Sequence, residues 1–265
     1  MRLTAPRIFA IGTHHKTGTL WMRAVFRKLA QATGVPERPV YPGTGPRIVP
    51  PRTRIYLTAW SSRFPEWLPT RPDVRILHLI RDPRDVLLSG MRYHRHAPVA
   101  GEAFLHRPRD DLGGLTYQAH LNALPDDAAR LRFEMGEKHA ITLQEMLDWE
   151  YGRPNAVELR YEDLIADTEC RRFREALRDL GLPEQEVETG LDIYWNNALF
   201  GGLADGARRR GRVRSHVADG RGGQWRRALP RSVAVAYAER HGADLVALGY
   251  ADHPTAWLGE LEDDV

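Results

Sequence analysis

The stretch Ile8-Phe-Ala-Ile-Gly-Thr-His-His-Lys-Thr-Gly-Thr-Leu-Trp-Met22 constrains the fold of this chain more than any other. A short apolar run passes directly into a helical pattern, and the loop between them carries Lys16, Gly18 and several hydroxyls. A strand that feeds a helix is one βα unit, and such units build sheets covered by helices. The loop is also a phosphate cradle by composition. Backbone N–H groups at the start of a helix point out of its positive end, and a lysine in the same turn adds a full charge. An ATP-hydrolysing loop reads G-x-x-x-x-G-K-[ST], with lysine after the second glycine, whereas here Lys16 precedes Gly18. A Walker A loop is therefore absent. A turn of glycine and threonine between strand and helix also has a purely geometric use, because glycine admits positive φ and threonine caps helices.

A second element has the same architecture. Val74-Arg-Ile-Leu-His-Leu-Ile80 reads as a buried strand, and Arg81-Asp-Pro-Arg-Asp-Val-Leu-Leu-Ser89 follows at once. Aspartate suits a helix N-cap and proline the first helical position, so Asp82 and Pro83 predict a helix start. Arg81 then stands at the C-terminal end of a strand, the edge at which open α/β sheets bind ligands. A planar guanidinium meets two phosphate oxygens with parallel charge-assisted bonds, which gives Arg81 a chemical use there. The competing use is an ion pair with Asp82 or Asp85 that trims the helix start.

Together these strings carry a resemblance. Lys16-Thr17-Gly18-Thr19-Leu20-Trp21 resembles the K-[ST]-G-T-x-W element with which sulfotransferases hold the 5′-phosphosulfate of 3′-phosphoadenosine 5′-phosphosulfate (PAPS). Arg81 and Ser89 resemble the R-D-P-R-D-V-x-x-S pair that grips the 3′-phosphate. Ala156-Val-Glu-Leu-Arg-Tyr-Glu-Asp-Leu164 reads as a strand ending in a Y-E-D-L turn, and its Tyr161 matches a tyrosine that lies by the adenine. Gly223-Gln-Trp-Arg226 resembles the end of R-K-G-x-x-G-D-W-K, but the positions of Arg-Lys-Gly hold Ala218, Asp219 and Gly220. Only the glycine survives. Arg214, His216 or Arg221 could supply the missing charge. Trp21 matches the tryptophan that stacks on adenine, with core packing as its alternative use.

The resemblance spans residues 8 to about 229 and implies an α/β fold, a central parallel sheet flanked by helices as in P-loop NTPases, in a single domain over 1–265. It implies sulfuryl transfer from PAPS, with 3′,5′-adenosine bisphosphate (PAP) as product, in line and without a metal. Lys16 and the backbone N–H groups of Thr17 to Thr19 would neutralise the leaving phosphate. The general base is open. Many family members carry a histidine in K-T-H-L-P, and the comparable Leu57-Thr-Ala-Trp-Ser-Ser62 has none. His15 and His14, directly before Lys16, are the nearest substitutes, followed by His94, His96 and Glu66. Two other readings are a non-catalytic PAPS- or PAP-binding protein and a nucleotide kinase with a degenerate P-loop.

Composition agrees with this. A chain of 265 residues can bury a substantial core, and a net charge of +3 gives no argument for nucleic acid. The single cysteine, Cys170, excludes an internal disulfide and makes a cytoplasmic location the expectation. The N-terminal apolar run is too short for a signal or a spanning helix, so no membrane insertion is expected. Strands are expected at 7–12, 54–59 and 74–80, and helices at about 18–33, 168–180, 184–197 and 231–247. Pro36, Pro39, Pro42, Pro46, Pro50 and Pro51 argue against regular structure there. The arginines 208, 209, 210, 212 and 214 form either a solvated loop or a lid over phosphates. An acidic tail covers 260–265. The acceptor, whether small molecule, carbohydrate or lipid, would be set by the irregular segments 36–70 and 94–115, and the oligomeric state stays open.

Overall fold

In the computed structural model, residues 5–203 and 221–262 are described. Five strands, β1 (Ile8–Gly12), β2 (Glu37–Pro39), β3 (Ile55–Ala59), β4 (Val74–Ile80) and β5 (Ala156–Arg160), form one parallel sheet in the order β2-β3-β1-β4-β5. β1 lies at the centre and is buried along its whole length, which is why its sequence is a continuous apolar run rather than an alternation. Its side chains alternate between two cores. Phe9 and Ile11 join Met22, Val25, Phe26 and Leu29 of α1 (Thr19–Thr33), Phe173 of α7 (Arg171–Asp179) and Leu191 of α8 (Glu184–Asn196). Ile8 and Ala10 join Leu57, Ile76, Leu68 and Trp149 on the opposite face.

The strand order has a functional consequence. From β1 the chain crosses to β2, returns through β3, and then passes to β4 on the other side of β1. The strand order thus reverses between the neighbours β1 and β4, the switch point at whose carboxyl edge such sheets generally take ligands.

Contacts divide the chain into two compact units, one of 1–81 with 148–209 and one of 82–147 with 210–265. The first carries the sheet, α1, α6 (Tyr161–Ala166), α7 and α8. The second is built from helices: α2 (Pro83–His94), α3 (Tyr117–Ala123), α4 (Asp127–Gly136), α5 (Lys138–Leu147) and the helices Trp225–Ala228 and Arg231–Ala247. Leu87, Met91, Leu131, Trp225 and Tyr237 are among its core residues.

Most expected elements stand where periodicity and caps place them. α1 ends at Gly34 in the left-handed region (φ 67°), and Asp82 caps α2 by accepting from the Arg84 amide at 3.0 Å. Two expectations need correction. The proline-rich passage contains β2, held to β3 by Tyr56 N–H donating to Pro36 O and Val40 N–H to Thr58 O, each 2.9 Å. Pro39 is tolerated because β2 is an edge strand, where a missing N–H costs no ladder bond. The expected turn after β5 is the short helix α6.

The β1–β4 register is tied at its start by Asp73. Its carbonyl accepts from the amides of Arg7 and Ile8, and its carboxylate from Arg7 and, bidentately at 2.9 Å, from Arg71. The Arg71 hydrogen bond, with Arg7 adding, holds the Asp73 pKa below the usual carboxylate value against the opposing effect of burial. A depressed folded pKa means stability present above the unfolded pKa and lost as pH falls through the folded one. Asp73→Asn should therefore cost about 1 kcal/mol at pH 7, both arginines being partly exposed. Urea unfolding should show this difference shrink below about pH 4.

Candidate functional site

The loop that leaves β1 is closed by its own hydroxyls. The Thr17 hydroxyl accepts from the His14 amide at 2.8 Å and donates toward the carbonyls of His14 (3.0 Å) and Leu79 (3.3 Å). The Thr17 amide and the Thr19 hydroxyl also donate to the His14 carbonyl, at 3.2 and 2.7 Å. Thr13 and Thr19 hydroxyls lie 2.9 Å apart. Thr17 is fully buried, so its hydroxyl and its N–H build the turn. Lys16 (φ 65°) and Gly18 (φ 101°) occupy the left-handed side of the map, which turns the chain into α1. The first bond of α1 runs from Met22 N–H to Gly18 O, so the amides of Thr19, Leu20 and Trp21 have no partner within the helix. Lys16 is half-buried and Leu20 exposed at the same end.

Arg81, at the carboxyl end of β4, donates from Nη1 to the Lys16 carbonyl at 3.2 Å, and its guanidinium lies 4.5 Å from the centre of the Tyr161 ring. The residues Lys16, Gly18, Arg81 and Tyr161 thus come together from β1, β4 and β5. Tyr161 is buried, and the place a Cβ would take at Gly18 is 3.2 Å from its ring. Trp21 is half-buried. It stacks on Tyr194 (4.6 Å, 23°), meets Tyr161 edge-on, and its buried indole N–H has no hydrogen-bond partner among the described residues.

The histidines separate. His14 is buried, and its Nε2 lies 2.9 Å from Nε2 of His78, whose ring stacks on Trp149 at 4.2 Å. His78 pairs in register with Gly12 on β1. Burial, with His14 adding, pushes its pKa well below the usual imidazole value. Sequence reasoning passed over His78, though a lone histidine in an apolar strand was a readable signal. His15 is half-buried beside Lys16. His94 is buried elsewhere, 2.8 Å from Glu134, which also accepts from the Tyr117 hydroxyl at 2.7 Å, while His96 and Glu66 are exposed.

In the second unit, Ser89 is half-buried on α2 and Arg221 is exposed. Asp85 accepts from the amides of Gly223 (2.7 Å) and Trp225 (3.0 Å), and Arg84 pairs with Asp82 and lies 3.7 Å from the Trp225 ring centre. The R-D-P-R-D string thus holds the Gly223–Trp225 segment, a role for Asp85 that spacing did not show. Arg214, Gly220 and the other arginines of 208–212 lie outside the described residues. Among the described residues, no group of three or more His, Cys, Asp or Glu side chains is arranged to hold a metal ion.

The fold is that of sulfotransferases solved with PAP. Mouse sulfotransferase SULT7A1 complexed with PAP aligns with a TM-score of 0.55 at 14% identity, over 94% of this chain and 91% of that one. Retinol dehydratase aligns at 0.53 and 16% in its complex with androsterone and inactive cofactor PAP, covering 91% of this chain and 81% of that one. In its complex with retinol and PAP it aligns at 0.52 and 15%, over 91% and 82%. No family model matches the sequence, and no curated protein matches it significantly.

Gly18→Ala should unfold at lower urea. A Cβ at φ 101° is strained and would sit 3.2 Å from Tyr161 and 3.3 Å from Leu79, so about 1–2 kcal/mol should be lost. A change within about 0.5 kcal/mol, typical of neutral surface positions, would show that the loop rebuilds without strain.

Proposed function

We propose that this chain transfers the sulfuryl group of PAPS to a hydroxyl or amine. The observation that carries this reading is the convergence of Lys16, the open N-terminal end of α1 and Arg81 at the carboxyl edge of β1 and β4. It occurs on a fold shared with PAP-bound sulfotransferases. PAPS supplies an activated sulfuryl group on its 5′-phosphate. Lys16 and the amides at the start of α1 take the negative charge that grows on that phosphate as the bond to sulfur breaks. The backbone that aims them is already held by Thr17 and Thr19, so little reorganisation is needed at the moment of transfer. Arg81 takes the 3′-phosphate, the group that separates PAPS from ATP, and Trp21 offers a ring to the adenine. Ser89 and Arg221 keep the 3′-phosphate roles that the resemblance implies.

The acceptor's proton passes to a histidine beside Lys16, with His15 favoured because it is partly open while His14 is buried. Retinol dehydratase was solved with androsterone and with retinol. Apolar alcohols are therefore the first acceptor class to test here.

PAP should stabilise the protein in a thermal-shift titration and ATP should not; the reverse would favour a kinase. Labelled sulfate moving from PAPS to an acceptor panel establishes the reaction, and PAP binding with no transfer to any of them would leave a non-catalytic binder. Arg81→Ala should weaken PAPS by about 2–4 kcal/mol and leave adenosine 5′-phosphosulfate, which lacks the 3′-phosphate, nearly unchanged. Equal losses for both would remove Arg81 from that role. Lys16→Ala should lower kcat by about 10²- to 10³-fold with a smaller effect on PAP affinity.

A further inference from the structure

Helix α2 turns one face toward the segment 221–225. Asp85, Ser89 and Arg92 stand at spacings of four and three residues along it, which at 3.6 residues per turn keeps all three within about 60° of arc. Contacts fix both ends of that face. Asp85 accepts from the amides of Gly223 and Trp225, and Arg92 donates from Nη1 to Oε1 of Gln224 at 3.0 Å. Gln224 in turn donates from Nε2 to the Arg221 carbonyl at 2.9 Å. Ser89 therefore lies between the two tie points, about one turn from Arg92.

This face has polar capacity left over. Arg54, Arg71, Arg84 and Arg109 each meet a carboxylate. Arg92 does not: it is half-buried, and its one hydrogen bond among the described residues goes to a neutral amide oxygen. The Nε–Nη2 edge of its guanidinium meets no acceptor among them, and that edge is a ready fork for two oxygens of one anion. The half-buried Ser89 hydroxyl also makes no hydrogen bond among the described residues. Thr142 and Thr189, by contrast, bond the carbonyl four residues back on their own helices. Asp85 does not neutralise Arg92, since its carboxylate is turned to the Gly223 and Trp225 amides about two turns away. A partly desolvated cation with a hydroxyl beside it and no counter-charge favours an anion.

We infer that Arg92 is a further binding residue for the 3′-phosphate, which it meets with its Nε–Nη2 edge beside Ser89. It supplies charge that the Arg-Lys-Gly positions lack in this chain, where Ala218, Asp219 and Gly220 stand. The inference rests on the proposed use of PAPS.

PAP and adenosine 5′-monophosphate (AMP) differ only in the 3′-phosphate, so titration calorimetry with both isolates that group. Arg92→Gln can still bond Gln224 but carries no charge. It should weaken PAP about 10- to 100-fold and AMP less than about 2-fold. Unchanged PAP affinity, or equal losses for both ligands, overturns the inference. Gln224→Ala cuts the tie and leaves the charge, so it should cost PAP less than Arg92→Gln does; an equal cost would make Arg92 a strut for the segment and not a ligand. If Arg92→Gln does not fold, Arg92→Lys decides, because it keeps the charge and loses the fork. A loss of about 3- to 10-fold confined to PAP is then expected, and no selective loss overturns the role. Wild-type protein that binds PAP no better than AMP would remove the PAPS reading and this inference with it, whereas a preference for PAP that survives every Arg92 variant removes Arg92 alone.

Discussion

The His14 carbonyl is the point on which the site depends. The Thr17 amide, the Thr17 hydroxyl and the Thr19 hydroxyl all converge on it within 2.7–3.2 Å. These bonds hold Lys16 and Gly18 in a backbone region that most residues avoid, and without them the chain would not turn sharply enough to start α1. The turn aims the helix start, and Arg81 closes it from β4 through the Lys16 carbonyl. Three threonines that composition would offer as ligand hydroxyls are instead turned inward as struts. What remains for a ligand is charge and backbone N–H, which suits a phosphate whose recognition is mainly electrostatic.

That turn sits where it does because of the sheet. β1 is covered on both faces and paired with β3 and β4, so its end is buried and held from both sides. A strand end held in this way is a good base for a site whose geometry must hold to a fraction of an ångström. The same burial governs the imidazoles below it. In so dry a place a charged His78 ring is expensive, and its Nε2 meets Nε2 of His14 at 2.9 Å.

The string Arg81 to Asp85 shows how one short segment is divided among tasks. Asp82 caps α2, Arg84 lies against the rings of Trp225 and Trp257 with Asp82 as its counter-ion, and Asp85 collects the amides of Gly223 and Trp225. Each buried charge there has a partner or an aromatic face, as burial of charge requires.

Local chemistry alone determined the strand–loop–helix at 8–33, the cap of α2 and the helix over 231–247, because period, caps and glycine positions act within a few residues. It also marked Lys16 and Arg81, since each follows a strand and so must lie at one edge of a parallel sheet, whereas Tyr161 was marked only by the resemblance of its Y-E-D-L string. The edge strand at Glu37–Pro39 escaped because its order comes from β3, not from its own prolines. His78 escaped for a related reason: one histidine in an apolar strand acquires meaning only from what the neighbouring strand sets against it. His94 stood behind His14 and His15 as a candidate in sequence, and Glu134 and Tyr117 enclose it in a core. Which histidine meets a partner, which a carboxylate and which solvent was decided by tertiary structure, because burial and pairing join residues far apart in the chain.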